Sequence, residues 1–241
     1  MGDPILVVED LSKRFDGFTA LSGVNLAIGA GERVGLIGPN GSGKSTLVNC
    51  ISGVLPASGG QIRFHGEDVT ALTPHQRFRR GIARTFQIPK PFASMTVIEN
   101  VCLPLEYSGS ARHRAEDIAD RARAILREVD LAAKSGEYPE NLTQIDLRRL
   151  ELARAMAVKP KLLIADEVMA GLAGAEVEQT LALLLRLAHS GIAIIMIEHI
   201  MRAIMRFSER VICFDAGRIM AEAPPQQIVN DPNVQRIYLG A

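Results

Sequence analysis

The segment GPNGSGKST, residues 38–46, combines glycines, a lysine and hydroxyl side chains in the spacing G-x-x-x-x-G-K-[ST]. A β-like segment, RVGLI, precedes it, and an apolar helical pattern, TLVNCISGVL, follows it. Glycines let the backbone curl so that successive N–H groups point inward, and the N-terminus of the following helix adds its dipole. The segment therefore predicts a phosphate-binding loop rather than a ligand-free glycine-rich turn.

The side chains of this loop have distinct predicted roles. Lys44 can reach the β- and γ-phosphates of a nucleotide, and the hydroxyl of Ser45 can bind Mg²⁺. The residues predicted to contact the nucleotide are Gly38, Asn40, Gly41, Ser42, Gly43, Lys44, Ser45 and Thr46.

A second acidic pair ends the apolar segment KLLIADE, residues 161–167. Ligands of parallel sheets bind at the carboxyl ends of the strands, where Asp166 and Glu167 would lie. Asp166 can hold Mg²⁺ directly or through water, and Glu167 can act as general base on an attacking water. A strand ending in Asp-Glu is by itself more often a solvated loop. The upstream phosphate loop favours the functional interpretation.

Weaker candidates lie elsewhere in the chain. His199 follows the apolar segment IAIIMI, where a neutral imidazole could bond a γ-phosphate or the water near Glu167. Phe15 could stack on an adenine ring, with Phe18 as a competing candidate and core packing as the alternative. Gln87, in a proline-bounded loop, carries little signal alone.

The segment NLTQIDLRRLELARAM, residues 141–156, predicts a capped helix. Thr143 can be the N-cap, and Asp146, three residues on, can close a capping box. The pattern places an apolar face at Leu147, Leu150, Leu152 and Ala153, with Arg148, Arg149 and Arg154 off that face.

The order of elements predicts an α/β fold. β-like segments dominate the first third, helical patterns fill the middle, and strands and helices alternate in the last third, which implies parallel strands between helices. We predict one domain over residues 1–241, with a nucleotide-binding core and β-rich lobe at 1–87 and 160–241. Residues 88–159 form the predicted helical subdomain.

Composition excludes several classes of protein. The 241 residues contain 27 basic and 27 acidic side chains, so no broad electrostatic footprint for nucleic acid is expected. The longest apolar stretches are too short to span a bilayer, so no direct membrane insertion is expected. Three widely spaced cysteines without metal-site spacing fit a reducing compartment. We therefore expect a cytoplasmic protein.

Together these motifs resemble the ATP-binding subunit of an ABC transporter over essentially the whole chain. The segments ARTFQ, RRLELARAM, IEH and the ending DPNVQRIYLG resemble the branched-chain (hydrophobic) amino acid subgroup. The resemblance implies a RecA-like P-loop NTPase core, ATP and Mg²⁺ as ligands, and two such subunits clamping two ATP molecules. It also implies Phe15 at the adenine, Gln87 as a Q-loop residue with catalytic and metal-binding roles, Glu167 as catalytic glutamate and His199 as switch histidine.

One motif departs from the family pattern. The signature motif, usually LSGGQ, is here Leu142, Thr143, Gln144, Ile145 and Asp146. Both glycines are absent, the branched Ile145 stands where a phosphate should approach backbone N–H groups, and Asp146 brings a carboxylate near it. The following loop has Val168 in place of the usual proline and Ala173 in place of an Asp or Asn.

These observations predict a subunit that binds and hydrolyses MgATP to drive an importer of a hydrophobic amino acid or similar small solute. The resemblance implies a second, different ATPase subunit, two membrane permease subunits and a periplasmic solute-binding protein. It places the chain at the inner face of the cytoplasmic membrane. Alternatives are the ATPase of a lipid or lipopolysaccharide exporter, a non-transport ABC nucleotide switch, and a nucleotide-binding module with little hydrolysis.

Overall fold

The structure, a computed structural model, describes residues 3–86, 88–108 and 115–239. Its strands are β1 (Leu6–Phe15), β2 (Phe18–Ile28), β3 (Arg33–Ile37), β4 (Gly59–Phe64), β5 (Glu67–Asp68), β6 (Ile82–Arg84), β7 (Leu162–Asp166), β8 (Ala193–Ile197), β9 (Arg210–Asp215) and β10 (Arg218–Ala223). Its helices are α1 (Lys44–Ile51), α2 (Pro74–Arg79), α3 (Val97–Ser108), α4 (Ala115–Glu128), α5 (Gln144–Met156), α6 (Gly174–His189), α7 (Met201–Phe207), α8 (Pro225–Asn230) and α9 (Pro232–Leu239).

The central sheet has the strand order β10-β9-β3-β8-β7-β6. Pairings from β9 through β6 are parallel, and only the edge pair of β10 with β9 is antiparallel, within the residues described. β7 and β8 are buried at every position, as expected when both faces of a parallel sheet are covered. This agrees with the α/β fold predicted from the alternation of elements.

A second sheet, β2-β1-β4-β5, is antiparallel and forms the N-terminal lobe. Its apolar side packs with α1 and one face of the central sheet in a single buried cluster that includes Leu6, Leu21, Leu47, Ile164 and Phe214. This cluster holds the β-lobe against α1 and against the strands on which α1 lies.

Helices α3, α4 and α5 lie between β6 and β7 in the chain. Their apolar residues share a buried cluster with α6, α7 and the other face of the central sheet, including Val101, Leu126, Leu150, Leu163 and Leu184. The mostly helical middle of the chain is as predicted, while the division at residues 88–159 stays a prediction.

The short helix α2 was not predicted, although its start carries a recognisable signal. Thr73 caps it, Gln76 closes a capping box, and Pro74 occupies the first turn. Its Arg77 is 2% exposed and donates hydrogen bonds to the carbonyl oxygens of Cys50 and Ile51 at the end of α1. The buried guanidinium thus adds hydrogen bonds to carbonyl groups at the C-terminal end of α1 and ties α2 to it. β5, α8 and α9 are likewise short and were not predicted from the sequence.

Candidate functional site

Three strand ends lie level at one edge of the central sheet. In the pairing register, Ile197 of β8 stands opposite Leu36 of β3 on one side and Asp166 of β7 on the other. Because these strands are parallel, the segments that follow them emerge side by side. The phosphate-loop candidate, the acidic pair and the segment carrying His199 are therefore neighbours, although they are far apart in sequence.

The loop between β3 and α1 depends on glycine at particular positions. Gly38 has φ 151°, and a Cβ there would lie 2.2 Å from the carbonyl oxygen of Phe214. Gly43 has φ 109°, and its Cβ would lie 2.8 Å from the carbonyl oxygen of Ala20. Only glycine fits both the backbone conformation and the contact with neighbouring backbone. The loop can therefore curl tightly in front of the N-terminus of α1.

Lys44, the first residue of α1, is turned back over this loop. Its Nζ donates to the carbonyl oxygens of Gly38 at 2.7 Å and Pro39 at 2.9 Å. Burial lowers the pKa of the Lys44 ammonium, and the neighbouring carboxylates of Glu167 and Asp166 act to raise it. The adjacent Ser45 is exposed at the N-terminus of the helix. The loop thus presents a cation, a hydroxyl and a helix dipole, which suits an anionic ligand.

Asp166 ends β7 and is held by β6. Its Oδ2 accepts a hydrogen bond from Nη2 of Arg84 at 2.7 Å, and its backbone N–H donates to the hydroxyl of Thr85. The two side chains of the ion pair are 10% and 9% exposed. Sequence reasoning did not single out Arg84, because an Arg inside the β-like segment IARTFQ gives no hint of its partner.

Glu167 has a strained backbone next to the loop. Its φ is 50°, in the left-handed region that is uncommon for residues other than glycine. Its Oε1 lies 3.3 Å from Nε2 of His199. Left-handed outliers of this kind typically cost about 1–3 kcal/mol and cluster at functional sites. The strain and the imidazole contact both support a functional side chain at position 167.

A cleft of about 300 Å³ opens between the phosphate loop and the β-lobe. Its lining includes Asn40 to Thr46, Glu167 and His199, so the predicted phosphate-side residues converge on one space. Phe15 and Phe18, paired across β1 and β2, both line it, at 43% and 62% exposure. Both rings therefore lie where a flat base could be covered.

Comparison with known proteins agrees with this geometry. The family model described as "ABC transporter" matches residues 21–170. The chain belongs to the ABC transporter family. A second ABC model, "Branched-chain amino acid ATP-binding cassette transporter", matches residues 218–241.

Individual relatives are similar over their whole length. The chain is 37% identical to the probable branched-chain amino acid transport ATP-binding protein LivG of Archaeoglobus fulgidus, covering 98% of this chain and 96% of that protein. It is 37% identical to the high-affinity branched-chain amino acid transport ATP-binding protein LivG of Escherichia coli K12, covering 100% and 99%. A crystal structure of an ABC transporter cassette in its ADP conformation superposes with a TM-score of 0.89 at 30% identity, covering 100% of both chains.

The segment in the place of the ABC signature motif forms the predicted cap. Thr143 accepts a hydrogen bond from the backbone N–H of Asp146, and the Asp146 carboxylate accepts one from the N–H of Thr143. Asp146 is 5% exposed and also pairs with Lys134. Burial by itself raises the pKa of Asp146, but hydrogen bonds from Lys134 and Thr143 hold it below its ordinary value. The carboxylate is thus turned into its own subunit, whereas the sequence predicted a carboxylate near a phosphate.

The two central residues of this segment differ in exposure. Ile145 is 8% exposed, whereas Gln144 is exposed beside Gly171. Leu142, preceding the cap, is half-buried. Ile145 therefore fills space inside its own subunit in addition to replacing a glycine.

Arg148 was predicted to lie off the buried face of α5, and this is wrong. It is 4% exposed, and its guanidinium donates to the carbonyl oxygens of Phe86 at 3.4 Å and Ala170 at 3.0 Å. A long cationic side chain can be buried where carbonyl groups satisfy its donors. Arg148 thereby ties α5 to the segment that follows Glu167.

Three further ABC motif positions are Gln87, Val168 and Ala173. Gln87 lies outside the described residues. Val168, in place of the usual proline, is 1% exposed, and Ala173 precedes α6 with its N–H bonded to the Glu176 carboxylate. The loop after Glu167 is therefore anchored within the subunit even without the usual residues.

Glu198, which sequence reasoning passed over, is a buried acid directly after β8. It is 4% exposed, and its Oε1 accepts a hydrogen bond from the N–H of Met169 at 2.8 Å. Burial raises the pKa of Glu198 to about 7, opposed by the Met169 hydrogen bond and reinforced by the charge of Glu167. The carboxyl group links the segment before His199 to the segment after Glu167.

This raised pKa predicts a pH-dependent stability. The folded protein retains the Glu198 proton between pH 4.5 and about 7, where the unfolded chain has lost it. Stability from this group is therefore complete below pH 4.5 and lost as pH rises through about 7, by about 3 kcal/mol. Glu198→Gln removes the titration and keeps an acceptor for Met169. Denaturant unfolding from pH 5 to 8 should show the wild type losing stability relative to the variant, and parallel profiles would contradict the prediction.

Proposed function

We propose that this chain binds MgATP in the cleft beside residues 38–46, hydrolyses it, and drives an importer of branched-chain or similar hydrophobic amino acids. The observation that carries the proposal is the convergence of Lys44, Glu167 and His199 on one cleft behind a glycine-dependent loop. The relatives that match over the full length are named as branched-chain amino acid transport ATP-binding proteins.

The loop and Lys44 would bind the phosphates. In the present arrangement the ammonium bonds two loop carbonyls, so it can transfer those bonds to phosphate oxygens without leaving the loop. The exposed N-terminus of α1 adds N–H groups and dipole. Phe15 or Phe18 would cover the adenine.

Mg²⁺ fits the oxygen atoms that face this loop. The described residues contain no cluster of three or more His, Cys, Asp or Glu that could hold a metal by themselves. Ser45 and Asp166 would therefore share the ion with the phosphates, as is usual for Mg²⁺. Bound there, the ion would neutralise charge on the transferring phosphoryl group.

Glu167 would accept the proton of the attacking water. The 3.3 Å contact with His199 orients the carboxylate and gives the imidazole a place near the same water or the γ-phosphate. Gln87 would act beside them, a role that rests on the family resemblance alone.

A substitution of Lys44 tests the phosphate site. Lys44→Ala removes a charge-assisted contact worth about 1.5–3 kcal/mol, so ATP affinity should fall about tenfold or more. Lys161→Ala, at an exposed lysine that does not line the cleft, is the control and should bind normally. Isothermal titration of both variants measures this, and wild-type affinity in Lys44→Ala would remove the phosphate-site assignment.

The catalytic assembly would contain two ATPase subunits. The cleft holds one set of phosphate-side residues, and the family resemblance places the partner's signature helix across it. In this chain the start of α5 carries Ile145 and a self-satisfied cap, which makes it a poor partner for another ATP. We propose a pair with a different ATPase subunit, and with two permeases and a periplasmic solute-binding protein.

Attachment to the membrane would occur through a groove on the side of α5. The groove has a volume of about 270 Å³ and is lined mainly by apolar groups, including Phe78, Ile82 and Phe86. Phe86 is exposed, and exposed Phe92, packed against the groove residue Arg154, extends the apolar surface. No helix of the described residues is long and apolar enough to cross a membrane. Permease partners are implied by family membership, and we propose that an amphipathic permease helix occupies this groove.

Co-expression tests the docking surface and the function together. The wild-type chain should co-purify with its permease subunits, and Phe86→Asp should reduce recovery by about tenfold because a charge is buried in an apolar contact. Val229→Asp, at a similarly exposed apolar residue outside the groove, should co-purify normally. Equal recovery of the two variants would refute docking in the groove. Loss of permease-dependent leucine uptake in cells lacking the chain would support the transport role.

A further inference from the structure

Arg84 lies between the candidate metal carboxylate and the groove. On one side its Nη2 donates to Oδ2 of Asp166 at 2.7 Å, and its Nη1 donates to the amide oxygen of Asn49 in α1. The guanidinium is thus bonded to β7 and to the helix that follows the phosphate loop. Any displacement of this side chain must move, or release, the Asp166 carboxylate.

On its other side Arg84 forms part of the groove wall. Its guanidinium lies 5.5 Å from the ring centroid of Phe86, and both residues line the groove. The Arg84 Nε is buried without a hydrogen-bond partner among the described residues. Because Nε itself is buried, a group that enters the groove can bond this donor only if the Arg84 side chain shifts.

Among the described residues, no neighbouring charged side chain accepts a hydrogen bond from Nε of Arg84. Glu151, also in the groove wall, is 5% exposed and accepts hydrogen bonds from Arg154 and from the N–H of Lys90. Arg154 in turn lies over the ring of Phe92, 5.1 Å from its centroid. Within the part of the chain that the structure describes, Arg154 has no hydrogen bond to α1 or to Asp166, so it is a matched control for Arg84 in the same groove.

The ion pair also controls the charge presented to the nucleotide. With Arg84 in place, the buried Asp166 carboxylate is compensated by a cation at hydrogen-bond distance. Without that cation, the carboxylate would repel metal-free ATP and attract a divalent ion more strongly. The two effects both increase the dependence of ATP binding on Mg²⁺.

We propose that Arg84 is a positioning residue that holds Asp166 for the metal and transmits the occupancy of the groove to it. A group that docks beside Phe86 and bonds the Arg84 guanidinium weakens the ion pair between Arg84 and Asp166. The transmission part rests on the groove being the permease docking site, as proposed above, whereas the positioning part does not.

The test compares ATP affinity of the full chain in excess Mg²⁺ and in EDTA. The measured quantity is the dissociation constant in EDTA divided by that in Mg²⁺. Arg84→Met should raise this ratio by about tenfold, because Asp166 loses its compensating cation. Arg84→Lys, which keeps the charge, should restore most of the wild-type ratio. Arg154→Met should leave the ratio unchanged. A thermal melt of each variant separates these effects from misfolding, and Arg84→Gln, which is polar but lacks the charge that compensates Asp166, carries the test if Arg84→Met does not fold.

A wild-type ratio in Arg84→Met overturns the positioning role, whether both affinities are unchanged or both are weakened equally, as for a purely structural residue. The purified complex with permease subunits then tests transmission. Assembly should shift the ratio of the wild type by at least about threefold and leave that of Arg84→Met unshifted. Co-purification without a shift overturns transmission alone, whereas failure to co-purify overturns the docking proposal and leaves the ratio of the isolated chain as the test of positioning.

Discussion

Glu167→Gln should lower ATP turnover by about 10²–10⁴ while ATP binding persists. The amide keeps the shape of the side chain and its reach to Nε2 of His199, 3.3 Å away in the wild type, but cannot accept the proton of water. The left-handed backbone at this position is unchanged by the substitution, so stability should change little. Steady-state phosphate release from the assembled ATPase pair measures turnover, and titration with ATP measures binding.

The control for this variant is Glu176→Gln. Glu176 lies in the first turn of α6 and bonds the N–H of Ala173, and it does not line the cleft. Its turnover should match that of the wild type. Near-normal turnover in Glu167→Gln would assign the base to another group. Loss of binding together with turnover would instead make Glu167 a binding residue.

Alone, the chain should hydrolyse ATP about 10²–10³ times more slowly than in a pair with a different ATPase subunit that carries an intact signature motif. Each backbone donor lost from a transferring phosphoryl group typically costs that factor in rate. In this chain Ile145 replaces a glycine at the start of α5, and the Thr143–Asp146 cap uses two backbone N–H groups internally. ATPase assays of the purified chain, with and without its partner subunit, measure the difference.

Glycine substitutions at the same segment give an independent measurement. Gln144→Gly with Ile145→Gly should speed turnover of the isolated chain, whereas Gln144→Gly alone should not. Ile145 is 8% exposed, so the double variant also loses buried surface and helix propensity, and its melting temperature should fall. The partner assay requires no substitution and remains decisive. Fast turnover by the wild-type chain alone would refute the proposed asymmetry.

Features that depend on a few consecutive residues were predicted from the sequence. The loop at residues 38–46 requires glycines at fixed offsets because its backbone enters the left-handed region, and Gly38 and Gly43 do so. The Thr143–Asp146 capping box closes within one helical turn, so it can be recognised from the sequence. The buried β7 and β8 could be recognised as uninterrupted apolar segments.

Contacts between distant segments could not be predicted in this way. Arg84 meets Asp166 across 82 positions, and Arg148 reaches the carbonyl of Phe86 across 62. A basic side chain in the sequence is predicted to be exposed. It can be buried only where the fold supplies carbonyl or carboxylate oxygens that accept its hydrogen bonds. Arg77 and Arg148 are buried because carbonyl oxygens of other elements accept their hydrogen bonds, and Glu198 is buried because the N–H of Met169 donates to it.

The sequence by itself determined the local chemistry: a phosphate loop, an acidic strand end, a capped helix and an α/β order of elements. Only the tertiary structure decided which of these meet. β8 lies between β3 and β7, so that Leu36, Ile197 and Asp166 stand level and the three segments after them share one edge. Strand order and register are set by how the whole chain buries its apolar faces, which no short segment specifies.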